Sequence, residues 1–287
     1  MSTLKIKDLH YAKDGLDIVN GVSLDLEGGE VVAILGQNGS GKTTLIDLIV
    51  DGIRPTGGEV RMNGMTYAEA KDKVGVVWDN INFCNWLTPK EVIKYVSAMR
   101  GISEINRTYY DILGIAGFEN RLMRKLSQGE RKRVSIYLAT FFGPEFLIID
   151  EAMTDLDPMT RKRVWEKIIL AKDRMVLFTT HQWEEAELYA TKIAFIDKGR
   201  ILHQPCSGQE LLAESGLKQK LVLDKSAVAL LDDNLKDYFV YFDENLLHIL
   251  LRDENDPVID AIKARTFNYS LLPITLNDLY HYYTLQK

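Results

Sequence analysis

The amino-acid sequence predicts an α/β fold built around a buried parallel sheet. Three short apolar runs carry this prediction, "VVAIL" at 31–35, "FLII" at 146–149 and "MVLFTT" at 175–180. Continuous apolar runs of this kind are typical of strands that helices cover on both faces. Segments with helical spacing separate the runs, and strands that alternate with helices form α/β cores.

The segments before the first buried strand have a different pattern. Apolar and polar residues alternate there, which predicts half-buried antiparallel strands. The apolar positions are Leu4, Ile6, Val22, Leu24 and Leu26. After the buried strand we predict a glycine-rich loop, a helix at about 42–50, a hairpin at "GGEVRMNG" and a short buried strand at 74–77.

A helical block is predicted at about residues 80–135. Its first helix should begin at Thr88, which can cap the N-terminus ahead of Pro89, and end at Gly101. Further helices are expected at 109–113 and 130–142. The core then continues with a helix that begins at 157–158, a helix at 183–189 and a hairpin at 198–199.

The pattern predicts two domains, residues 1–215 and 216–287. The second has the order β-α-β-β-α-β, with a strand at 221–223, a helix at 227–231, a hairpin that turns at 243–245, a helix at 257–264 and a strand at 269–272, followed by a last helix at 276–283. Such an order can close as a ferredoxin-like unit. A loosely attached α+β tail that serves stability or a dimer contact fits the same pattern.

Composition narrows the class of function. With 287 residues, of which 46% are hydrophobic and 26% charged, the chain can bury a substantial core. The net charge of −6 offers no general attraction to nucleic acid, so no nucleic-acid partner is expected. The N-terminus lacks the apolar run of a signal peptide and no apolar run has the length to cross a bilayer, which predicts a cytoplasmic protein.

The segment "GQNGSGKT" predicts a phosphate-binding loop, because it follows a buried strand and opens a helix. Backbone N–H groups of such a loop converge on phosphates, Lys42 reaches the β- and γ-phosphates, and the Thr43 hydroxyl can bind Mg²⁺. The predicted nucleotide-binding residues of the loop are Gly36, Gln37, Asn38, Gly39, Ser40, Gly41, Lys42, Thr43 and Thr44. The alternative is a glycine-rich turn without a ligand.

Residues at the ends of other buried strands complete the predicted site. Asp150 is expected to hold Mg²⁺, and the adjacent Glu151 to orient or deprotonate a water. His181 follows another strand at the same edge of the sheet, where it can meet the γ-phosphate. Tyr11 is a candidate for stacking on adenine. Without the phosphate loop, a solvated turn, an exposed histidine and a packed tyrosine would explain these residues.

The segment "LSQGE" at 126–130 predicts an anion-binding helix start. Ser127 and Glu130 have the spacing of a capping box. Gly129 lies in the first turn, although glycine costs a helix about 1 kcal/mol relative to alanine. A helix N-terminus without a Cβ in the way suits an anion such as phosphate.

Taken together, the motifs resemble those of the nucleotide-binding subunits of ABC transporters. The resemblance covers about residues 2–215 and rests on "GQNGSGKTT", "LSQGE", "FLIIDE", "MTDLDP" and "TTH". It implies a P-loop NTPase of ABC type, with a RecA-like parallel sheet core, an antiparallel β subdomain and a helical subdomain. A small C-terminal α+β extension would follow.

The resemblance also implies roles for particular residues. ATP and Mg²⁺ would be the cofactors, and a second nucleotide-binding subunit would contribute its "LSQGE" segment to the ATP site. The residues implied for catalysis are Lys42, Glu151 and His181, and Tyr11 is implied for adenine binding. Ser127, Gln128, Gly129 and Glu130 belong to the "LSQGE" segment, which we call the signature segment, and Asp155 and Asp157 belong to the loop across the interface. The residues implied for the metal are Thr43, Asp150 and Asp79.

Three residues depart from the family pattern. Gln128 stands where the family usually has glycine, Glu130 where it has glutamine, and Asp79 where it has glutamine. Aspartate is shorter and charged, so Asp79 would reach Mg²⁺ or a water with a different geometry.

Two surface features of the helical block are also predicted. A docking patch for a membrane subunit is expected at Phe83, Trp86 and Leu87, with packing beneath a loop as the alternative. The basic run 131–133 is interpreted as a solvated helix face, with Arg133 in a structural role.

We therefore predict an ATP-hydrolysing subunit that dimerises around ATP and drives a separate membrane permease from the cytoplasmic face. Export is expected because the single nucleotide domain and the ending "PITLNDLYHYYT" resemble stand-alone export-type subunits. Two alternatives are left open. One is a soluble ABC ATPase without a transport role, and the other is a weakly hydrolysing, nucleotide-gated regulator suggested by Asp79 and Gln128.

Overall fold

The computed structural model describes residues 2–78, 85–224, 238–243, 245–264 and 268–285. Contacts within the chain divide it into two compact units, Met1–Pro205 and Cys206–Lys287. Within these described residues, the N-terminal unit contains two sheets and the C-terminal unit one, each unit has its own helices, and the two units are described separately below. The predicted Mg²⁺ ligand Asp79 and the predicted docking residue Phe83 lie outside the described residues.

The N-terminal unit contains nine strands and seven α-helices among its described residues. The strands are β1 (Thr3–Lys13), β2 (Leu16–Glu27), β3 (Val31–Leu35), β4 (Gly57–Met62), β5 (Val74–Val77), β6 (Phe146–Asp150), β7 (Met175–Thr180), β8 (Lys192–Asp197) and β9 (Arg200–Ile201). The helices are α1 (Lys42–Ile49), α2 (Tyr67–Ala70), α3 (Pro89–Met99), α4 (Arg107–Ile112), α5 (Gln128–Thr140), α6 (Pro158–Val164) and α7 (Trp183–Tyr189).

The central sheet has six strands in the order β5-β6-β7-β3-β8-β9. Every pair is parallel except β8 with β9. All residues of β3, β6 and β7 are buried, as expected for strands that helices cover on both faces. The predicted parallel α/β core is therefore confirmed.

The alternating N-terminal pattern forms a separate antiparallel sheet in the order β2-β1-β4. The predicted apolar positions pair across the strands, with Leu4 opposite Leu26 and Ile6 opposite Leu24. Because successive side chains point to opposite faces of a strand, these leucines and isoleucines share one face. That face packs into the same hydrophobic core as Val32 and Ile34 of β3.

Local side-chain caps start the helices of the helical block. Thr88 caps α3 by accepting a hydrogen bond from the Glu91 N–H at 3.3 Å, while the Glu91 carboxylate accepts from the Thr88 N–H at 2.8 Å. Ser127 and Glu130 form the same box at the start of α5, with distances of 2.8 and 3.2 Å. The sequence predicted the box of Ser127 with Glu130 and the cap at Thr88, but not the part that Glu91 takes, and both boxes satisfy N–H groups that have no partner within the helix.

The basic run on α5 is only partly the solvated face that the sequence suggested. Lys132 is 2% exposed, and its Nζ donates to the Trp78 carbonyl at 3.2 Å. The interpretation as a uniformly solvated face is wrong for this residue, because Lys132 turns inward between β5 and the segment at Asp155. Arg133 is structural as expected, since its Nη1 donates to the Leu113 carbonyl at 3.2 Å.

The C-terminal unit is an antiparallel sheet with helices. Its elements are α8 (Gly208–Ser215), β10 (Gln219–Asp224), β11 (Phe239–Asp243), β12 (Leu246–Leu251), α9 (Pro257–Ala264), β13 (Tyr269–Pro273) and α10 (Leu276–Leu285). The strand order is β11-β12-β10-β13, and all pairs are antiparallel. The helix predicted at 227–231 lies outside the described residues, so the ferredoxin-like arrangement stays a prediction.

A network of polar side chains is buried in the C-terminal unit. Asp278 is 0% exposed and accepts hydrogen bonds from Lys220 Nζ at 2.9 and 3.0 Å and from the Tyr241 hydroxyl at 2.6 Å. Burial alone would raise the pKa of Asp278, but hydrogen bonds from Thr275, Tyr241 and Lys220 outweigh it and lower the pKa. The carboxylate is thereby kept ionised.

Two histidines stack on the opposite faces of the Tyr241 ring. The ring centroids of His248 and His281 lie 4.5 and 4.1 Å from that of Tyr241. Burial lowers the pKa of His248, and the nearby charge of Lys220 adds to this effect against the opposing charges of Asp278 and Asp243. Neither ring nitrogen of His248 has a hydrogen-bond partner among the described residues.

We predict that His248 makes the C-terminal unit sensitive to acid. A histidine whose folded-state pKa lies below its unfolded value contributes stability above the unfolded pKa, about 6.5, and this contribution is lost as the pH falls through the folded pKa. Substitution His248→Phe keeps an aromatic ring against Tyr241 and removes the titration. Hydrogen exchange of β12 amides, corrected for intrinsic rate, should show a smaller loss of protection between pH 7 and 5.5 in the variant. Equal losses in both proteins would contradict the prediction.

Candidate functional site

Three predicted site segments meet at one edge of the central sheet. The phosphate loop follows β3, Glu151 follows β6 and His181 follows β7. The strands β6, β7 and β3 are parallel neighbours, so their carboxyl ends lie side by side. Open α/β sheets bind their ligands at this edge.

Glycines let the phosphate loop take a path that other residues could not follow. A Cβ on Gly36 would lie 2.4 Å from the Ile196 carbonyl oxygen, and one on Gly41 would lie 2.8 Å from that of Ile18. Gly41 also has a φ of 105°, in the left-handed region that glycine adopts without strain. The loop then turns directly into α1, whose N-terminus has no side-chain cap among the described residues.

Lys42 is buried between the loop and the end of β6. Its Nζ donates to the carbonyls of Gly36 and Gln37 at 2.9 and 3.1 Å. It also forms an ion pair with Glu151 Oε1 at 3.0 Å. Because the side chain is only 4% exposed, this ammonium group meets little competing water. Positions 42 and 151 are far apart in the sequence, and the fold brings their side chains into contact.

Asp150 is fixed beneath the loop by a residue that the sequence analysis did not single out. Its carboxylate is 1% exposed and accepts a hydrogen bond from the Thr179 hydroxyl at 2.6 Å. The two residues are directly opposite in the pairing of β6 with β7. Burial raises the pKa of Asp47 on α1, and the charge of Asp150 raises it further, which places that charge close to the helix. The sequence signal for this contact was the "TTH" segment, because parallel pairing of β6 with β7 places its first threonine opposite Asp150.

Glu151 has a strained backbone, and its carboxylate contacts two side chains, those of Lys42 and His181. Its φ is 44°, an uncommon value for a residue other than glycine. Its N–H is held by the carbonyl and the hydroxyl of Thr179, both at 3.2 Å. Its Oε2 lies 3.2 Å from His181 Nδ1, while its other oxygen binds Lys42. Strained conformations of this kind persist only where the surroundings hold them, and they concentrate at functional sites.

The signature segment at the start of α5 contacts the loop that follows Glu151. Glu130 binds Arg121 Nη1 at 2.7 Å in addition to capping the helix with Ser127. Burial alone would raise the pKa of Glu130, but the hydrogen bonds from Ser127 and the charge of Arg121 outweigh it and lower the pKa. A Cβ on Gly129 would lie 2.7 Å from the Asp155 carbonyl oxygen. The glycine is therefore required by a contact within this chain.

The remaining predicted residues occupy varied positions. Thr43 and Gln128 are exposed at the first turns of α1 and α5, and Tyr11 is half-buried on β1 against the main core. Asp157 caps α6, with Oδ1 accepting from the Thr160 N–H at 3.0 Å. Trp86 is 70% exposed, and the Arg124 guanidinium lies 3.9 Å from its ring centroid.

The residues at this edge of the sheet fit a nucleoside triphosphate bound together with Mg²⁺. Gly36 and Gly41 let the loop pack closely against the Ile196 and Ile18 carbonyls, and Lys42 supplies a positive charge at the loop. Thr43 and Asp150 offer the oxygen ligands that Mg²⁺ prefers. Among the described residues, no group of three or more His, Cys, Asp or Glu side chains is placed to hold a metal by itself.

These features define the class as a P-loop nucleoside triphosphatase. Comparison with known proteins then gives the family. The family model described as "ABC transporter" matches residues 19–154. The Linearmycin resistance ATP-binding protein LnrL of Bacillus subtilis is 30% identical over 210 residues, which cover 69% of this chain and 68% of that protein. The chain belongs to the ABC transporter family of ATP-binding subunits, and the predicted ATPase class is confirmed.

Other relatives are named for different roles. The Daunorubicin/doxorubicin resistance ATP-binding protein DrrA of Streptomyces peucetius is 30% identical over 68% of this chain and 63% of that protein. The Taurine import ATP-binding protein TauB of Yersinia pestis is 29% identical over 68% of this chain and 80% of that protein. Against the ATP-binding cassette sub-family A member 10 of Homo sapiens, identity is 28%, and the match covers 72% of this chain but only 14% of that protein.

Solved structures support the fold. The structure titled "Structure of ATP binding subunit of ABC transporter" superimposes with a TM-score of 0.69 at 24% identity, over 74% of this chain and 93% of that chain. The predicted ABC-type P-loop architecture is thereby confirmed. In the part of the chain that the structure describes, no helix combines the length and apolar character needed to cross a membrane.

At Gly129 we predict that a change to alanine lowers stability, which is the opposite of what helix propensity alone predicts. In an unobstructed helix, Gly→Ala stabilises by about 1 kcal/mol. Here the new methyl group would press on a backbone carbonyl, so Gly129→Ala should lower the free energy of unfolding by about 1–3 kcal/mol. Gly117→Ala is the matched control, because a Cβ there meets nothing within 4 Å. Urea unfolding measures both, and a Gly129→Ala variant as stable as the parent would refute the contact.

Proposed function

We propose that this protein is the ATP-hydrolysing subunit of an ABC exporter. It binds Mg²⁺-ATP at the edge formed by β3, β6 and β7, pairs with a second nucleotide-binding subunit, and drives a separate membrane permease. One observation carries the proposal. The buried Lys42, the strained Glu151 and His181 form a continuous chain of contacts, with the fixed carboxylate of Asp150 adjacent in sequence.

Each residue of the site has a role that its contacts support. Lys42 moves from the carbonyls of its own loop and from Glu151 to the β- and γ-phosphates. Glu151 accepts a proton from the attacking water, and His181 orients Glu151 and meets the γ-phosphate. Thr43 and Asp150 hold Mg²⁺, which supplies charge neutralisation at the phosphates when bound. The exposed Tyr11 face stacks on adenine.

The second subunit completes the site through its signature segment. Ser127, Gln128 and Gly129 form the start of α5, where N–H groups and the helix dipole favour an anion. The capping box leaves this turn well ordered for a γ-phosphate bound to the partner. Because the phosphate binds both chains, its hydrolysis weakens their association, which is a switch between nucleotide states.

Export by a separate permease is supported by two kinds of observation. LnrL and DrrA are named for resistance to compounds, which export would provide, although TauB is named for import. Trp86 exposes a large apolar ring on the helical block, and such side chains are enriched at protein interfaces. Through this contact the protein would be held at the cytoplasmic face of the membrane.

A second candidate is a nucleotide-gated regulator with slow hydrolysis. The ion pair of Glu151 with Lys42 favours it, because the Glu151 oxygen that binds the ammonium group at 3.0 Å is not available to an attacking water while the pair persists. A single-turnover rate no faster than that of the Glu151→Gln variant would support this candidate over the first.

The variant Glu151→Gln should separate nucleotide binding from hydrolysis. Removing a general base lowers the rate by roughly 10²–10⁴-fold. Since ATP would persist, the variant should elute as a dimer in size-exclusion chromatography with saturating Mg²⁺-ATP. Lys42→Ala is the control and should neither bind ATP nor dimerise. A Glu151→Gln protein that stays monomeric, with no second subunit able to restore pairing, would contradict the proposed dimer.

Recovery from membranes tests the permease partner. A tagged chain purified from membranes of its own cell should carry a polytopic membrane protein. Trp86→Ser should reduce this recovery severalfold, because it removes the exposed ring. Leu188→Ser is the control, since Leu188 is similarly exposed at 72% but lies on α7. Recovery with ribosomes or DNA, and without any integral membrane protein, would overturn the transport role.

A further inference from the structure

Arg161, in the first turn of α6, connects two segments that flank the catalytic edge. Its Nη1 donates to the Gln182 side-chain oxygen at 2.8 Å. Its Nη2 donates to the carbonyls of Thr154 and Leu156 at 3.2 and 3.3 Å. One planar guanidinium therefore holds three oxygens from two separate segments.

Both segments are attached directly to the residues that contact each other at the site. Thr154 lies in the loop that follows Glu151, and its hydroxyl donates to the Glu151 carbonyl at 3.2 Å. Gln182 follows His181, and its N–H donates to the Thr180 hydroxyl at 3.1 Å. The path from Glu151 through Arg161 to His181 closes a ring, whose last contact is that of Glu151 Oε2 with His181 Nδ1 at 3.2 Å.

The chemistry of this position requires arginine. Guanidinium presents its donors in a rigid plane, whereas a lysine ammonium is a point charge that cannot reach two segments in fixed directions. The Nε of Arg161 is buried without a hydrogen-bond partner among the described residues. The side chain is thus oriented so that Nη1 and Nη2 donate hydrogen bonds while Nε has no partner among the described residues.

These contacts help to hold the strained backbone of Glu151. A φ of 44° persists only if the surrounding structure holds it. The Thr179 contacts hold the N–H side of Glu151, and the loop held by Arg161 lies on its carbonyl side. Together they fix the direction in which the carboxylate leaves the backbone.

We propose that Arg161 is a positioning residue that holds Glu151 and His181 in register for ATP hydrolysis. This inference rests on the proposed function, because it assigns Arg161 to the same site. Arg161 touches neither phosphate nor metal in this role. It acts only through the loop after Glu151 and through Gln182.

The test compares Arg161→Met with Arg161→Lys and with Arg163→Met. Arg163 is exposed on the same helix two residues away, so its substitution changes the same type of side chain without this contact. Misplacement of a catalytic group by about 1 Å can cost on the order of 10²-fold. We expect Arg161→Met to lower kcat between tenfold and a hundredfold with KM for ATP within twofold, and Arg161→Lys to restore little. A kcat within twofold of Arg163→Met, or a loss confined to KM, would overturn the proposal.

A readout without turnover separates this inference from the proposed function. Hydrogen exchange of the full chain should become faster at 152–157 and 181–182 in Arg161→Met, while the amides of β6 and β7 stay protected. If Arg161→Met does not fold, Gln182→Met removes one arm of the contact and should loosen 181–182 alone. A parent protein that binds but does not hydrolyse ATP would refute the proposed function. Unchanged exchange in the Arg161 and Gln182 variants would refute the positioning role in either case.

Discussion

The buried ammonium group of Lys42 is the interaction on which the site depends. It lies where the phosphate loop, the start of α1 and the end of β6 converge, and it is only 4% exposed. A buried cation is costly unless it is paired and hydrogen-bonded. Lys42 meets this requirement with two loop carbonyls and one carboxylate, all within 3.1 Å. These partners can be exchanged for phosphate oxygens, so the same residue that orders the loop also prepares it for a ligand.

The loop between Glu151 and Asp157 links the catalytic edge to the signature helix. Arg161 holds it on one side, and Gly129 meets the Asp155 carbonyl on the other. Lys132 Nζ lies 4.0 Å from the Asp155 carboxylate, at the limit of an ion pair. A shift of α5 would therefore press directly on the residues that follow Glu151. Because packed interiors transmit strain, the proposed function implies that a nucleotide bound at the start of α5 would influence hydrolysis in the same chain.

Much of this arrangement could be predicted from the sequence, and the physical reason differs by feature. The strands β3 and β7 were recognisable because burial on both faces makes them continuously apolar, and the caps at Thr88 and Ser127 because capping is local chemistry. Lys132 was misjudged because a basic run looks solvated until the fold brings the Trp78 carbonyl to it. Thr179 and Arg161 were missed for a similar reason. Thr179 meets Asp150 across 29 residues and Arg161 meets Gln182 across 21, so both contacts form only after strand pairing and helix packing are fixed.

Lys42 and Lys220 are both buried and both paired with a carboxylate, but the surroundings of the two ion pairs differ. Lys220 binds both oxygens of Asp278, whose carboxylate is 0% exposed and also accepts from Thr275 and Tyr241. Every partner there is inside the fold, so breaking the pair would leave an uncompensated charge, and such a pair specifies structure. Lys42 binds Glu151, which is 21% exposed, strained at φ 44° and also in contact with His181. Its partners stand at an open edge of the sheet, where an anion can replace them. The same chemical pair therefore stabilises one unit and, in the proposed function, prepares the other for catalysis, and the difference lies in the exposure and strain of the carboxylate.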